Sequence, residues 1–246
     1  MTLPTYAELT REDANPLKRV LQRRRLADAL RAGGRNGAPM AIIDYGGGDG
    51  ALLRMAAGVW PRARLTCFEP WDRFAAEARV ALADLPRAEV VEDSAAIADG
   101  SADLVFCTEV FEHLPDAQTE DALAEIDRIL APGGRLVVGV PVELWGPALA
   151  KGLFRTLRRP DEFDGRWRHV LSAAGGRAPA PRPEVPIGAG LAYHPHHAGF
   201  DHRPLLARIA ARFEIERIAG SPFAALPVGL NNELYVTARK PTAPRP

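Results

Sequence analysis

Apolar and polar positions fall into alternating blocks along the chain. Met40 to Asp44, Leu65 to Phe68, the pair Val90 and Val91, Asp103 to Cys107 and Leu136 to Val140 are short runs dominated by apolar residues. Segments of helical period separate them, at 50–58, 72–85 and 117–130. In 117–130 the residues Ala122, Leu123, Ile126, Ile129 and Leu130 form one apolar stripe. A further helix is predicted over 16–32, with Asn15 as its cap, Pro16 in its first turn and Gly33-Gly34 at its end. The run Ala131-Pro132-Gly133-Gly134 stops the helix before the fifth strand. Continuous apolar strands alternating with helices predict a mostly parallel, doubly wound α/β sheet.

After Val140 the rhythm breaks. Residues 141–200 are rich in Pro and Gly and show no clean period, and they are too long for a plain connection. They read as a cap or lid inserted after the fifth strand. Regularity returns with a helix over 202–212 and strands over 213–219 and 233–239, joined by a loop holding Pro222 and Pro227. The expected organisation is a helical segment at 1–38, a core at 39–141, a cap at 142–200, a returning helix and strand pair at 201–240, and a frayed tail at 241–246.

Composition narrows the class. The chain has 246 residues, 47% apolar and 25% charged, which is ordinary for a globular protein. Lys plus Arg and Asp plus Glu are both 31, so the net charge is zero. A zero balance speaks against a non-specific grip on nucleic acid, which needs a positive field. Cys67 and Cys107 sit within apolar strands and read as buried hydrophobes, not as a disulfide or a metal-ligand set. The N-terminal stretch reaches charge too early for a signal peptide. The longest mostly apolar stretch, 136–150, contains Glu143 and is too short to span a bilayer. The expectation is a cytoplasmic protein with no membrane span and no nucleic-acid partner.

The chemistry concentrates where the first strand runs into Asp44-Tyr45-Gly46-Gly47-Gly48-Asp49-Gly50. Glycines let the backbone turn sharply and approach a ligand, and open α/β sheets bind ligands at this end of their strands. Two readings compete. Gly46, Gly48 and Ala51 satisfy the dinucleotide pattern, with Glu69 at the end of the second strand to accept ribose hydroxyls. That would make an NAD(P)-dependent oxidoreductase. In the other reading Asp44 opens the loop. A carboxylate there repels a pyrophosphate and suits a ligand with a positive centre.

The ordered segments DYGGGDG at 44–50, CFEPW at 67–71, EDSAAI at 92–97, DLVFCTEVFEHLPD at 103–116 and APGGRLVVGVP at 131–141 resemble the class I S-adenosylmethionine-dependent methyltransferases. The resemblance implies a seven-stranded Rossmann-like sheet ending in an antiparallel hairpin. It implies S-adenosyl-L-methionine as cofactor and S-adenosyl-L-homocysteine as product. By resemblance Tyr45, Gly46, Gly47 and Gly48 would meet the methionine part through backbone, and Asp44 would orient the loop and the amino group. Glu69 would take the ribose hydroxyls, flanked by Pro70 and Trp71. Asp93 would accept from the adenine amino group, Ser94 would add a backbone donor, and Glu109 would stand near the sulfonium end.

Methyl transfer from a sulfonium is an in-line displacement in which the protein aligns and desolvates. A base helps only for a hydroxyl or a charged amine. The candidates are His194 and His197 in the cluster His194-Pro195-His196-His197, and His113 after the fourth strand. No metal site is expected, because Asp201 alone adds to this cluster. Between Lys151 and Arg182 eight basic residues face three acidic ones, which suits an anionic acceptor and equally a solvated surface. The fourth strand ends in CTEV, not in the Asn-Pro-Pro-Tyr type of base-amine and glutamine methylation, and Cys107 does not follow Pro. By elimination the acceptor is a small molecule or a glycan. A non-catalytic scaffold keeping the fold is the third reading, opposed by the intact loop with Glu69 and Asp93.

Overall fold

The computed structural model describes residues 16–34, 37–188 and 191–242. The expected cap Asn15 and the last four residues of the tail lie outside them. In chain order the elements are α1 (Pro16–Gly33), β1 (Ala41–Tyr45), α2 (Ala51–Val59), β2 (Arg64–Phe68), α3 (Asp72–Leu82), β3 (Ala88–Val91), β4 (Ala102–Thr108), α4 (Asp116–Ile129), β5 (Leu130–Pro141), α5 (Trp145–Arg158), α6 (Trp167–Ala174), β6 (Val185–Gly188), β7 (Leu191–Tyr193), α7 (His202–Arg212), β8 (Glu214–Ser221) and β9 (Glu233–Arg239).

Seven strands form one sheet in the order β3-β2-β1-β4-β5-β9-β8, and β6 pairs with β7 apart from it. β1 is parallel to β2 and to β4, with Ile42 opposite both Leu65 and Leu104. β3 is parallel to β2. β9 runs against β5: Gly133 N–H donates to Lys240 at one end, and Val142 N–H donates to Asn232 at the other. β8 and β9 close as a hairpin, where Asn232 N–H donates to Ser221. The mostly parallel sheet is the arrangement expected from the strand pattern, and the terminal antiparallel pair is the one the resemblance implies. β5 is longer than expected. It starts at Leu130 and takes the whole Ala-Pro-Gly-Gly run into the sheet, because Gly133 and Gly134 bond to the end of β9.

By packing, the chain makes two compact units, Met1–Thr108 with Glu125–Val138 and Thr237–Pro246, and Glu109–Ala124 with Gly139–Val236. The core of the first unit is its sheet. All of β1 is buried, and Leu104, Val105, Phe106, Leu136, Val137 and Val138 have no exposed surface. Strands covered on both faces explain the continuous apolar runs.

The second unit corrects one expectation. Residues 141–200 are not aperiodic: they hold α5, α6 and the β6–β7 hairpin. The apolar positions of α5 do repeat at helical spacing, but the stripe faces outward. Leu149, Leu153, Phe154 and Leu157 are exposed, while the buried positions are Pro147, Ala148 and Gly152. Gly152 is small for a reason, since a Cβ there would lie 2.4 Å from Val170 of α6. Pro147 is tolerated in the first turn, where its missing N–H has no partner to lose.

A buried charge organises this unit. Glu143, 2% exposed, accepts from Lys151 Nζ at 3.0 Å and from Arg155 at 2.7 and 3.2 Å. Lys151 also donates to the carbonyls of Val142 and Asn232. Burial alone would raise the Glu143 carboxyl, but Lys151 and Arg155, with His197 adding less, hold it down to about 2. A depressed carboxyl stabilises the fold above its ordinary pKa, and that contribution disappears as pH falls from the ordinary value towards 2. Glu143→Gln leaves two half-buried cations without their anion and should cost about 3 to 5 kcal/mol. In chemical denaturation the deficit should be full at pH 7 and shrink below pH 4.5; an unchanged stability at pH 7 would refute it.

Candidate functional site

The glycine loop is built by the ends of β1 and β2. Gly46, Gly48 and Gly50 have φ of +78°, +55° and +76°, a region L side chains rarely adopt. Gly47 is required sterically: a Cβ there would lie 2.6 Å from Cys67 Sγ and 3.1 Å from Asp44 Oδ2. The loop amides turn towards the protein. Gly46 and Gly47 both donate to the Phe68 carbonyl, at 2.8 and 3.0 Å. Gly48 donates to Glu69 Oε2 at 2.9 Å, Gly50 to the Gly47 carbonyl at 3.0 Å, and Ala51 to Asp49 Oδ1 at 3.2 Å. A phosphate cradle works by presenting amides of this kind to the anion. Here they are already engaged.

Three carboxylates gather around this loop. Asp44, Asp49 and Glu69 are all buried, at 2%, 4% and 7% exposure. Burial, then Glu69 and Asp49, push the Asp44 carboxyl up to about 8. Burial also raises Glu69, against the N–H groups of Trp71 and Gly48 that favour its anion. Burial first, then Asp44, Glu69 and Asp49, raise the Cys67 thiol well above its usual range, so it is a packing residue and not a nucleophile. Mutually repelling buried carboxylates are relieved by a cation.

Beyond Glu69 the chain exposes Pro70 and Trp71, and the Trp71 ring meets Phe74 edge-on at 4.8 Å. Asp93 caps a short 3-10 turn, Ser94–Ala96, by accepting from Ala95 N–H at 2.9 Å. That turn is braced from α4. Ser94 Oγ donates to Glu125, and Arg128 donates to the Ser94 and Ile97 carbonyls and to Asp99. The brace was not visible in the sequence, because Arg128 lies about 30 residues from its partners.

In the second unit Glu109 follows β4 with φ of +58° and donates its amide to Gly139. Backbone strain of this kind persists where the surroundings over-determine it. The next turn, Phe111–His113, carries Glu112 and His113. His113 and His194 are tied twice: His194 N–H donates to the His113 carbonyl at 2.8 Å, and His113 Nδ1 to the His194 carbonyl at 2.8 Å. Tyr193 stacks on the His113 ring at 4.4 Å and 9°. His197 Nε2 lies 3.2 Å from His113 Nε2. Burial, the largest effect, lowers His113 to about 4, so its ring is neutral.

The three expected histidines thus come together, though not equally. His194 gives its own Nδ1 to the Pro183 carbonyl and is buried, so it acts on the cluster through its backbone. His196 points instead to Asp164, at 3.8 Å. Glu112, fully buried beside the pair, and Arg182, which donates to the Glu112 and His196 carbonyls, went unnoticed in the sequence. Glu112 had one readable sign, its place directly before His113.

Most of the basic stretch is internally engaged. Lys151 and Arg155 hold Glu143, Arg159 pairs with Glu162 and Asp164, and Arg166 and Arg182 donate to carbonyls. Arg168, Arg177 and Arg203, with His169 and Asp201, line an open groove of about 640 Å³ in this unit. Arginines of α1 and α7 are likewise paired, as in Arg24–Asp28 and Arg208–Asp116.

Residues 43–138 match the methyltransferase domain family. Demethylspheroidene O-methyltransferase of Rhodobacter capsulatus is 34% identical over 98 residues, which is 39% of this chain and 24% of that protein. The chain spans between 24% and 37% of the curated relatives it matches. Among solved structures, N-methyltransferase NodS from Bradyrhizobium japonicum, in complex with S-adenosyl-L-homocysteine, superposes with a TM-score of 0.58 at 18% identity, over 94% of this chain and 91% of that one. Geranyl diphosphate C-methyltransferase from Streptomyces coelicolor does so with a TM-score of 0.58 at 14% identity, over 91% and 77%. These likenesses establish the fold.

The contact under Gly47 yields a direct test. Gly47→Ala should destabilise by about 1 to 3 kcal/mol, because the methyl has only Cys67 Sγ and Asp44 to push against. Cys67→Ala in the same chain should recover part of that loss. Additive losses in a double-mutant cycle would show that the sulfur contact is not the cause.

Proposed function

We infer, from the class I methyltransferase domain that this chain carries over residues 43–138, that it transfers a methyl group from S-adenosyl-L-methionine to a small-molecule or glycan acceptor. One observation carries this reading. The glycine loop has its amides engaged and three buried carboxylates beside it. A dinucleotide pyrophosphate needs the reverse, free donors and no anion, so the oxidoreductase reading loses its binding site. A ligand bearing a sulfonium and an ammonium fits.

In this reading Tyr45, Gly46, Gly47 and Gly48 border the methionine part through backbone carbonyls and the absence of Cβ atoms. Asp44 supplies the balancing negative charge. Each Glu69 oxygen accepts one backbone N–H and keeps a second lone pair for a ribose hydroxyl. Pro70 and Trp71 flank the adenosine, and Asp93 and Ser94 meet the adenine from the turn that Arg128 braces. The cofactor supplies an electrophilic methyl, so the protein's task is alignment and exclusion of water.

The acceptor belongs to the second unit. His113 and His197 are the groups that touch it, and His194 holds His113 in place. Arg168 and Arg177 on the open groove favour an anionic acceptor, because guanidinium forks match carboxylates and phosphates, whereas Arg203 beside them is held by Asp201 and the Gly176 carbonyl. A cytoplasmic location fits the lack of any helix, among the described residues, long and apolar enough to cross a membrane.

The donor assignment is tested by thermal unfolding with S-adenosylhomocysteine, S-adenosylmethionine and NAD(H) in parallel. A ligand at 100 times its Kd adds about 2.7 kcal/mol. Stabilisation by the adenosyl sulfur compounds alone is expected, and stabilisation by NAD(H) alone would overturn the reading.

Asp44 adds a pH signature. Its raised carboxyl carries a proton near neutrality, and a bound cation favours the anion. Affinity for S-adenosylmethionine should rise from pH 6 towards 8, by at most about tenfold per unit, then level off. The unfolded chain releases this proton near its ordinary pKa. Asp44 therefore subtracts stability progressively as pH rises from about 4 to 8. Asp44→Asn should stabilise the free protein at pH 8, weaken binding and flatten the profile. A calorimetric profile unchanged by Asp44→Asn would remove Asp44 from the site.

A further inference from the structure

Among the described residues, Glu112, His113 and His197 bring three ligating atoms close enough to share one ion. Glu112 Oε1 lies 3.9 Å from His113 Nε2 and 3.9 Å from His197 Nε2, and those two nitrogens are 3.2 Å apart. The point equidistant from the three atoms of this triangle is about 2.1 Å from each, inside the bond range of about 2.0 to 2.2 Å for imidazole nitrogen and carboxylate oxygen on zinc. The triangle is therefore already the size of a first coordination sphere.

Its surroundings aim the donors inward. The His194 carbonyl only accepts, so His113 Nδ1 carries the hydrogen and the lone pair sits on Nε2, towards the centre. An imidazole that gives its other N–H to a carbonyl is the usual support of a metal-bound histidine. Tyr193 stacked on the ring and the His194 N–H on the His113 carbonyl fix its plane. The Glu112 side chain is fully buried. Arg182 is the opposing charge, donating to the carbonyls of Glu112 and His196. A second group, Glu162, Asp164 and His196, is less suited, because Arg155 and Arg159 already neutralise Asp164 at 3.6 and 2.9 Å.

We propose that Glu112, His113 and His197 bind one divalent transition-metal ion of the zinc class. Two nitrogens and one carboxylate oxygen favour such an ion over magnesium or calcium, which prefer all-oxygen shells. Three protein ligands leave at least one position open, the arrangement of a catalytic metal site. That position takes an oxygen donor. Assigning the oxygen to the methyl acceptor rests on the methyl-transfer reading, whereas binding of the ion does not.

The test uses the full chain, stripped with a chelator and dialysed, without cofactor or acceptor. Zinc is titrated by calorimetry, and cobalt by visible absorption as a readout of its ligand field. One ion per chain is expected. His197→Ala and His113→Ala should each weaken binding at least tenfold, and His196→Ala, one position away, should keep it. His197 is only partly buried, with 27% of its side chain exposed, so its variant carries the test even if His113→Ala fails to fold. No stoichiometric binding, equal affinity in His197→Ala, or equal loss in His196→Ala would overturn the proposal. Calorimetry of S-adenosylhomocysteine on the same His197→Ala protein separates the two readings: retained S-adenosylhomocysteine binding with lost zinc binding supports both. Lost S-adenosylhomocysteine binding in the wild type would defeat the donor reading and leave the metal result standing.

Discussion

The Phe68 carbonyl, accepting N–H groups from both Gly46 and Gly47, is the contact on which the glycine loop depends. It joins the end of β2 to the loop leaving β1, and so sets where Glu69, the next residue, stands. Glu69 then takes the Gly48 amide. These three bonds use the donors that an anion site would need, and they leave Asp44, Asp49 and Glu69 clustered in low dielectric. Their burial and mutual repulsion keep a proton on Asp44 near neutrality in the free protein. A cation placed beside them favours the charged form. The loop pattern shared with dinucleotide enzymes is thus given a different electrostatic sense by where its amides point.

The second unit handles charge in the opposite way, by pairing it. Glu143 is neutralised by Lys151 and Arg155, and Asp164 by Arg155 and Arg159. This explains why a stretch that reads as strongly basic offers few guanidinium groups to a ligand. What remains is local: the groove beside Arg168 and Arg177, and the cluster of Glu112 with two imidazoles. The histidine pair owes its geometry to backbone bonds between residues 113 and 194, about 80 positions apart in the chain. The strain at Glu109 and the double tie at His113 lie within one short stretch after β4, where precise placement is held by several bonds at once.

Legibility in the sequence followed the range of the interactions involved. β1, β2, β4 and α7 were readable because each is set by its own apolar pattern and its flanking turn residues. The glycine loop was readable for the same reason, as a break in that pattern. In α5 the helical spacing was present, but its orientation was not readable: the buried face is Pro147, Ala148 and Gly152 while the leucines lie outside, so a rule that places apolar residues inward points the wrong way. The extension of β5 through Pro132 and Gly133 was missed because only β9, arriving about 100 residues later, supplies its partners.

The sequence by itself determined the alternation of strand and helix, the acidic glycine loop and the residues at the strand ends, since these follow from local periodicity and local backbone freedom. Only the tertiary structure decided that the loop amides turn inward, that Asp44 is forced towards its neutral form, that the basic stretch is mostly paired, and that Glu112 joins His113 and His197. Each of these depends on groups brought together from distant positions, where burial and Coulomb interaction act through space and leave no trace in the spacing of residues along the chain.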